Sequence, residues 1–250
     1  MHRRTGFLLL LSSLVMHAPS FAMELIPFRA HYSASFHQGI NLSGSAVREL
    51  KPLDEGRWRL SLDARALIAR IDESSLLRLD RGQIQPLEYQ YQRKVLGKTQ
   101  QRHARFDPDN PRLDAERAAE GQPAPCAAPL YDNLSYQLQL WQDAQDGRQT
   151  MDYCIVDGKR VKQYAFRVVG EESLPIGDQH YATWVIERDR GAESERQTRI
   201  WLSREQPFLI VKLLQVEDGK RYQILLERVE YGAARQAAET PASDLGFGDN

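Results

Sequence analysis

From residue 28 onward, hydrophobic and polar positions alternate with a period of two. In "FRAHYSASF", Phe28, Ala30, Tyr32, Ala34 and Phe36 fall on one side of an extended chain, and Arg29, His31, Ser33 and Ser35 fall on the other. That is the alternation of a half-buried strand. "HQGIN" turns the chain into a second strand from about Leu42 to Leu50. "KPLDEG" turns it again into "RWRLSLDARALI", where Trp58, Leu60, Leu62 and Ala64 oppose Arg57, Arg59, Ser61 and Asp63. The rhythm runs on through "SSLLRLD", "LEYQYQRKV" and "QRHARFD", joined by short turns. Strands linked this closely make a meander, and without helical crossovers the sheet is expected to be antiparallel.

Two segments interrupt the rhythm. The stretch 107–130 carries five prolines and reads as a long surface loop within one domain. "YDNLSYQLQLWQDA" then predicts the one helix, over 132–143. Asp132 suits the cap, Tyr131 and Tyr136 stand where a hydrophobic staple would be, and Leu134, Leu138 and Trp141 form a single apolar stripe. Strands resume through "QTMDYCIVD", "RVKQYAFRVVGEE", "QHYATWVIERDR" and residues 198–231. The tail 232–250 has no periodic apolar residues and is expected to be disordered.

Within the last strands, Phe208 to Val216 is apolar in both phases: Leu209, Val211 and Leu213 in one, Ile210, Leu214 and Val216 in the other. An antiparallel sheet with one wet face does not need this. A strongly twisted sheet that curls on itself has both faces partly covered. The fold expected is therefore mainly β: a single strongly curved antiparallel sheet, a half-barrel or β-spiral, with one central α-helix. Residues 23–231 form one domain.

The N-terminus changes the setting. Arg3 and Arg4 precede an apolar run from Phe7 to Met16 and small residues at Ser20 and Ala22, the order of a secretory signal peptide over 1–22. The run is about ten residues against about 20 for a bilayer span, so the mature chain has no transmembrane segment. The expected location is the periplasm. Without Arg3 and Arg4, the 33 basic residues become 31 against 34 acidic ones. That balance announces no nucleic-acid partner. In an oxidising compartment the two cysteines, Cys126 and Cys154, are most simply a disulfide.

Candidate chemistry is sparse. His31, His37, His103 and His180 have no metal-ligand spacing. No nucleophile elbow, P-loop or dinucleotide fingerprint is present, so neither a catalytic residue nor a cofactor is assigned. The carboxylate pairs Asp54-Glu55, Asp72-Glu73 and Glu171-Glu172 read as turn residues, and "RDRGAESERQ" reads as an exposed loop of mixed charge. The aromatics carry more. Trp58, Tyr89, Tyr91, Trp184 and Trp201 lie in strands and Trp141 lies on the helix stripe with Leu134 and Leu138. They are either core or the lining of a ligand-binding groove on the concave face.

"APLYDNLSYQLQLWQD", "YCIVDGKRVKQYAFRVVGEE" and "TRIWLSREQPFLIVKLLQVEDGK" together resemble the exported bacterial domain-of-unknown-function 3108 family, over most of residues 25–231. The resemblance implies an envelope-resident, mostly antiparallel protein. Its architecture would be similar to the curved sheets of periplasmic lipoprotein carriers and of β-spiral cell-envelope-integrity proteins. It supplies no catalytic residues.

The function expected is a non-enzymatic periplasmic protein holding an apolar or lipid-like ligand, or an envelope protein segment, in the concave face of the sheet. The alternative is a cell-envelope integrity protein that acts through protein contacts, with a filled core and no small ligand. An enzyme would require His103, His180 or the carboxylate pairs to converge in one pocket.

Overall fold

The computed structural model describes residues 24–38, 40–107, 129–158, 160–191, 193–205 and 207–232. The expected signal peptide, Cys126, most of the loop over 107–130 and nearly all of the tail lie outside the described residues.

The chain builds one sheet of 13 strands. In order along the chain they are β1 (Phe28–Gln38), β2 (Ile40–Pro52), β3 (Arg57–Ala66), β4 (Ala69–Asp80), β5 (Gln83–Val95), β6 (Lys98–Arg105), β7 (Leu130–Tyr131), β8 (Thr150–Asp157), β9 (Arg160–Ile176), β10 (Gln179–Asp189), β11 (Gln197–Ser203), β12 (Ile210–Glu217) and β13 (Lys220–Tyr231). The helix α1 is Ser135–Gln145. Neighbours run β6-β5-β4-β3-β2-β1-β13-β12-β11-β10-β9-β8-β7, so β1 and β13 meet mid-sheet and join two meanders. Several hairpins are as tight as hairpins can be. Arg81-Gly82, Leu96-Gly97 and Asp218-Gly219 each place two successive residues at positive φ, as a primed turn requires.

One pair departs from the expected antiparallel order. β7 and β8 are parallel, Leu130 opposite Cys154 and Tyr131 opposite Ile155. Parallel neighbours need a crossover, and α1 is that crossover.

Register shifts at His31/Tyr32, Leu76/Leu77, Val185/Ile186 and Trp201/Leu202 add twist. The sheet coils until its two edges approach. β6 supplies Ala104, and Phe106 follows it; both pack on Leu130, Cys154, Val156 and Val161 of β7 to β9. Arg102 of β6 is ion-paired with Asp157 of β8. Side chains therefore close a seam that backbone hydrogen bonds leave open, giving a coil that is not a closed barrel.

The inner face of the coil carries α1, which is enclosed rather than striped. Leu138 and Leu140 are both 0% exposed, and Gln139, Gln142 and Asp143 are buried beside Leu138 and Trp141. A buried polar group must find a partner, and these do. Gln139 Oε1 accepts from the Ile84 backbone at 3.0 Å, its Nε2 donates to Asp143 Oδ1 at 3.0 Å, and Tyr153 donates to Asp143 Oδ2 at 2.7 Å.

The two-phase run at Phe208–Val216 has a local explanation. Ile210 stands opposite Leu202 and Leu213 opposite Ile200, so residues two apart on β11 face residues three apart on β12. Val211 is the bulged residue, so Ile210 and Leu213 share a face instead of taking opposite ones. Around this point both faces are indeed buried: Ile200, Trp201, Leu202 and Ser203 in β11, and Phe208 to Val211 beside it. On the far side of β1 to β6, by contrast, the face is wet.

Candidate functional site

The structure places the expected groove residues in the core. Tyr89, Leu134, Leu138, Trp141 and Trp201 are buried, and Trp58, Tyr91 and Trp184 pack half-buried against them. Trp141 donates its indole N–H to the Ser203 carbonyl at 2.7 Å and meets Phe208 edge-on at 6.5 Å. Trp201 belongs to the other face. It pairs with Val185 and Lys212, Lys212 Nζ lies 4.4 Å from its ring centre, and its N–H donates to Glu172 Oε2 at 2.6 Å. These residues therefore come together around the helix, Trp201 excepted, in the half of the coil that α1 fills.

The helix is seated by polar groups that alternation did not reveal. One inner-face row crosses six strands: Ala30, Arg48, Leu62, Glu73, Tyr91 and Arg102. Arg48 is 3% exposed. Its Nη1 donates to Gln137 Oε1 of the helix at 2.8 Å, and its guanidinium lies 5.5 Å from the Phe208 ring. Its Nε and Nη2, like the Tyr32 hydroxyl, are buried without a hydrogen-bond partner among the described residues. Burial lowers the Arg48 pKa and raises that of Tyr32 to about 12. Glu73 accepts from the Tyr89 hydroxyl at 2.5 Å, and Asn133 Nδ2 donates to that hydroxyl at 3.2 Å. Burial pushes Glu73 up to about 7; the Tyr89 hydrogen bond opposes the rise, and the nearby Asp132 adds to it.

Asp132 is fully buried at the start of the helix. Its Oδ1 accepts the Leu134 and Ser135 backbone N–H groups, both at 2.8 Å, and its Oδ2 accepts the Ser75 hydroxyl at 2.7 Å. The Ser135 hydroxyl accepts the Asp132 backbone N–H at 2.9 Å. The helix begins at Ser135 with Leu134 at its N-cap position, so Asp132 is not the cap expected there; it holds the turn just ahead of the helix instead. Its carboxylate also pins α1 to β4. Burial raises the Asp132 pKa against the opposing pull of these hydrogen bonds.

Two expectations about charge are corrected. Asp72-Glu73 and Glu171-Glu172 lie within β4 and β9 rather than in turns. Arg188 is in β10, and Arg190 and Arg196, which flank the following turn, are half-buried rather than free in a loop.

Beyond α1 the inner face stays open and apolar. Phe36, Tyr222, Gln215 and Thr198 form one cross-strand row, and Ala34, Ile224, Leu213, Ile200 and Ile186 form the next. Ile186 and Ile200 are buried in the core, whereas Ala34, Phe36, Leu213 and Ile224 are only half-buried. Tyr222 is 39% exposed and stacks on Phe36 with ring centres 4.5 Å apart. Beside this strip Gly44 pairs with Ala34, and a Cβ there would come 2.3 Å from the Arg65 carbonyl oxygen.

The outer face of β1 to β6 holds a groove of about 910 Å³. Its central row, Arg29, Glu49, Ser61, Ser74, Gln90 and His103, contains no apolar side chain. Asp63 and Asp72 are ion-paired with Arg65 and Arg70, and His103 with Glu88. His103 and Asp72 do line one groove, but each is engaged by another partner. No group of three His, Cys, Asp or Glu able to hold a metal occurs among the described residues, and no helix among them is long and apolar enough to cross a membrane.

A single coiled sheet wrapped on one helix, with its seam closed by side chains, defines a barrel-like protein of the open, helix-filled kind. The chain belongs to the family of proteins of unknown function DUF3108, whose model matches residues 28–225. No curated protein matches it. Among solved structures it is similar to a beta-barrel-like protein of domain of unknown function DUF1849 from Brucella abortus, at 13% identity and a TM-score of 0.56, covering 84% of this chain and 100% of that one. A DUF1329 family protein from Desulfovibrio piger ATCC 29098 matches at 11% identity and a TM-score of 0.32, covering 84% and 87%. The first of these likenesses supports the barrel-like fold and nothing further.

Proposed function

We propose that this protein is an exported, non-enzymatic binding protein of the periplasm. It holds an apolar or lipid-like chain, or an envelope protein segment of that character, against the open half of its concave face. The observation that supports this is the strip of Ala34, Phe36, Leu213, Ile224 and Tyr222. These residues share a face with the buried core yet remain half-exposed where the helix no longer covers them. Exposed apolar surface of this kind on a concave wall is characteristic of binding sites. The order of basic, apolar and small residues over 1–22 supports export, and an oxidising compartment would suit a bridge between Cys126 and Cys154.

A fluorescent long-chain fatty acid should bind the purified mature protein with micromolar affinity. Phe36→Ser and Leu213→Ser should each weaken it about tenfold, with circular dichroism unchanged. Binding that is absent, or indifferent to both substitutions in folded protein, would count against the reading.

The wet outer groove favours a second reading, in which the core is simply full and the polar face meets an envelope partner. In that case the fatty acid does not bind, and crosslinkers placed at Ser61 and Gln90 capture a partner that crosslinkers at Phe36 do not.

A further inference from the structure

At one end of the open strip three arginines crowd together. The row Phe36, Tyr222, Gln215 and Thr198 leads directly to them. Arg190 Nη2 donates to Thr198 Oγ1 at 3.0 Å, and Arg196 Nη2 donates to Gln215 Oε1 at 3.0 Å. Arg188 lies over the Tyr164 ring, 3.2 Å from its centre. The Nε atoms of all three are buried and lack an aligned hydrogen-bond acceptor among the described residues.

Carboxylates do not balance this corner. Arg196 Nε lies 3.2 Å from Glu217 Oε2, the one ion pair these three arginines make among the described residues. Glu187, close in sequence, is taken by Arg167 and Arg199. Asp189 Oδ1 accepts the Gly191 backbone N–H at 2.8 Å. Glu193 and Glu195, on the intervening turn, are exposed and form no ion pair with these arginines among the described residues. Three guanidinium groups therefore face one carboxylate, an excess of about two positive charges on half-buried side chains. The strain registers in Arg190, whose pKa falls to about 10 through burial and through the neighbouring Arg188 and Arg196.

We infer that Arg188, Arg190 and Arg196 form a site for a doubly charged phosphate-type oxyanion, carried as the head of an amphipathic molecule whose apolar chain lies along Phe36, Leu213 and Ile224. Guanidinium forks match the oxygens of such an anion in spacing and charge, and an anion of two charges cancels the excess that the protein's own carboxylates leave. The inference rests on the reading of the apolar strip given above, and it adds the chemistry of the head. The shared chemistry is the phosphoryl group, whose source is either a lipid headgroup or free phosphate.

Calorimetric titration with palmitoyl lysophosphatidic acid, palmitoyl lysophosphatidylcholine and inorganic phosphate separates the possibilities. The lysolipids are used below their micelle concentrations. Tests use the mature wild type, the double variant Arg188→Gln/Arg190→Gln and, as a control, Arg228→Gln on the exposed surface. The wild type should bind the phosphomonoester lysolipid at least tenfold more tightly than its choline counterpart. The double variant should abolish that preference while leaving the choline lysolipid unaffected, and Arg228→Gln should change nothing. Equal affinity for the two lysolipids in the wild type, or a preference that survives in the double variant, overturns the inference. If neither lysolipid binds, the apolar-strip reading fails, and inorganic phosphate alone decides the anion site. Millimolar binding lost in the double variant sustains the site for a free anion, and no binding ends it.

Discussion

Asp132→Ala is expected to destabilise the protein by about 3–4 kcal/mol, measured as the shift of the urea midpoint at constant slope. The substitution removes the carboxylate that fastens the turn leading into α1. It also leaves the Ser75 hydroxyl and the Leu134 and Ser135 amides, now served by one carboxylate, buried without acceptors. Each such orphan costs about 1–3 kcal/mol, offset in part by relief of burying the carboxylate itself. Because Asp132 ties α1 to β4, the loss should fall on the helix and on the inner core together. Asp132→Asn, which keeps an oxygen for the two amides, should cost less than half as much. A change below about 1 kcal/mol for the alanine variant would mean that the helix is held by apolar packing alone.

The second large effect depends on pH. Glu73 has its folded pKa raised from 4.5 to about 7, so the folded protein binds a proton that the unfolded chain has already released. Between these values the folded state holds more protons, and stability must fall as pH rises. The penalty is absent below about pH 4.5, grows through the window and is complete above about pH 7. Its upper bound is about 3.5 kcal/mol, at about 1.4 kcal/mol per unit. Glu73→Gln retains an oxygen to accept from Tyr89 and carries no charge. It should therefore match the wild type near pH 4.5 and exceed it by about 2–3 kcal/mol at pH 8. Asp132, also raised by burial, leaves a residual slope of the same sign in the variant. Parallel stability curves for the two proteins would show that Glu73 is solvated in the folded state.

These two carboxylates also mark the limit of what alternation reveals. The strands, the single helix and the curvature were legible because a period of two and a period of 3.6 are imposed by the backbone itself. Two-sided burial was legible in the run Phe208–Val216, of which Phe208 to Val211 are buried and the rest half-buried. Arg48 and Glu73 were not, although both stand in apolar phase: Arg48 with Ala46 and Leu50, Glu73 with Ile71 and Leu77. A charge in that phase reads as an interruption until the row across the strands places it under the helix.

The register was hidden too. A bulge opposite Trp201 and Leu202 moves Ile210 and Leu213 to one face, and nothing in "PFLIVKLL" signals it. The aromatic residues were recognised as a set, but only chain topology decides which of them the helix covers. The expected lining proved to be the filled half, and the open half is built from Phe36, Leu213, Ile224 and Tyr222, residues whose strands were read but whose exposure was not. The arginine corner was hidden by its acidic neighbours, since mixed charge in sequence gave no hint that Glu187 is spent on Arg167 and Arg199.

The central claim is that one concave face has two halves, sealed by α1 at one end and open at the other. Hydroxyl-radical footprinting read by mass spectrometry tests it on side chains directly. Phe36 and Tyr222 should be oxidised rapidly in the native protein, while Trp141, Tyr136 and Phe208 react only when the chain unfolds. Oxidation of Trp141 and Phe208 at the rate of Phe36 would contradict the account, because the helix would then not cover the face it is described as sealing.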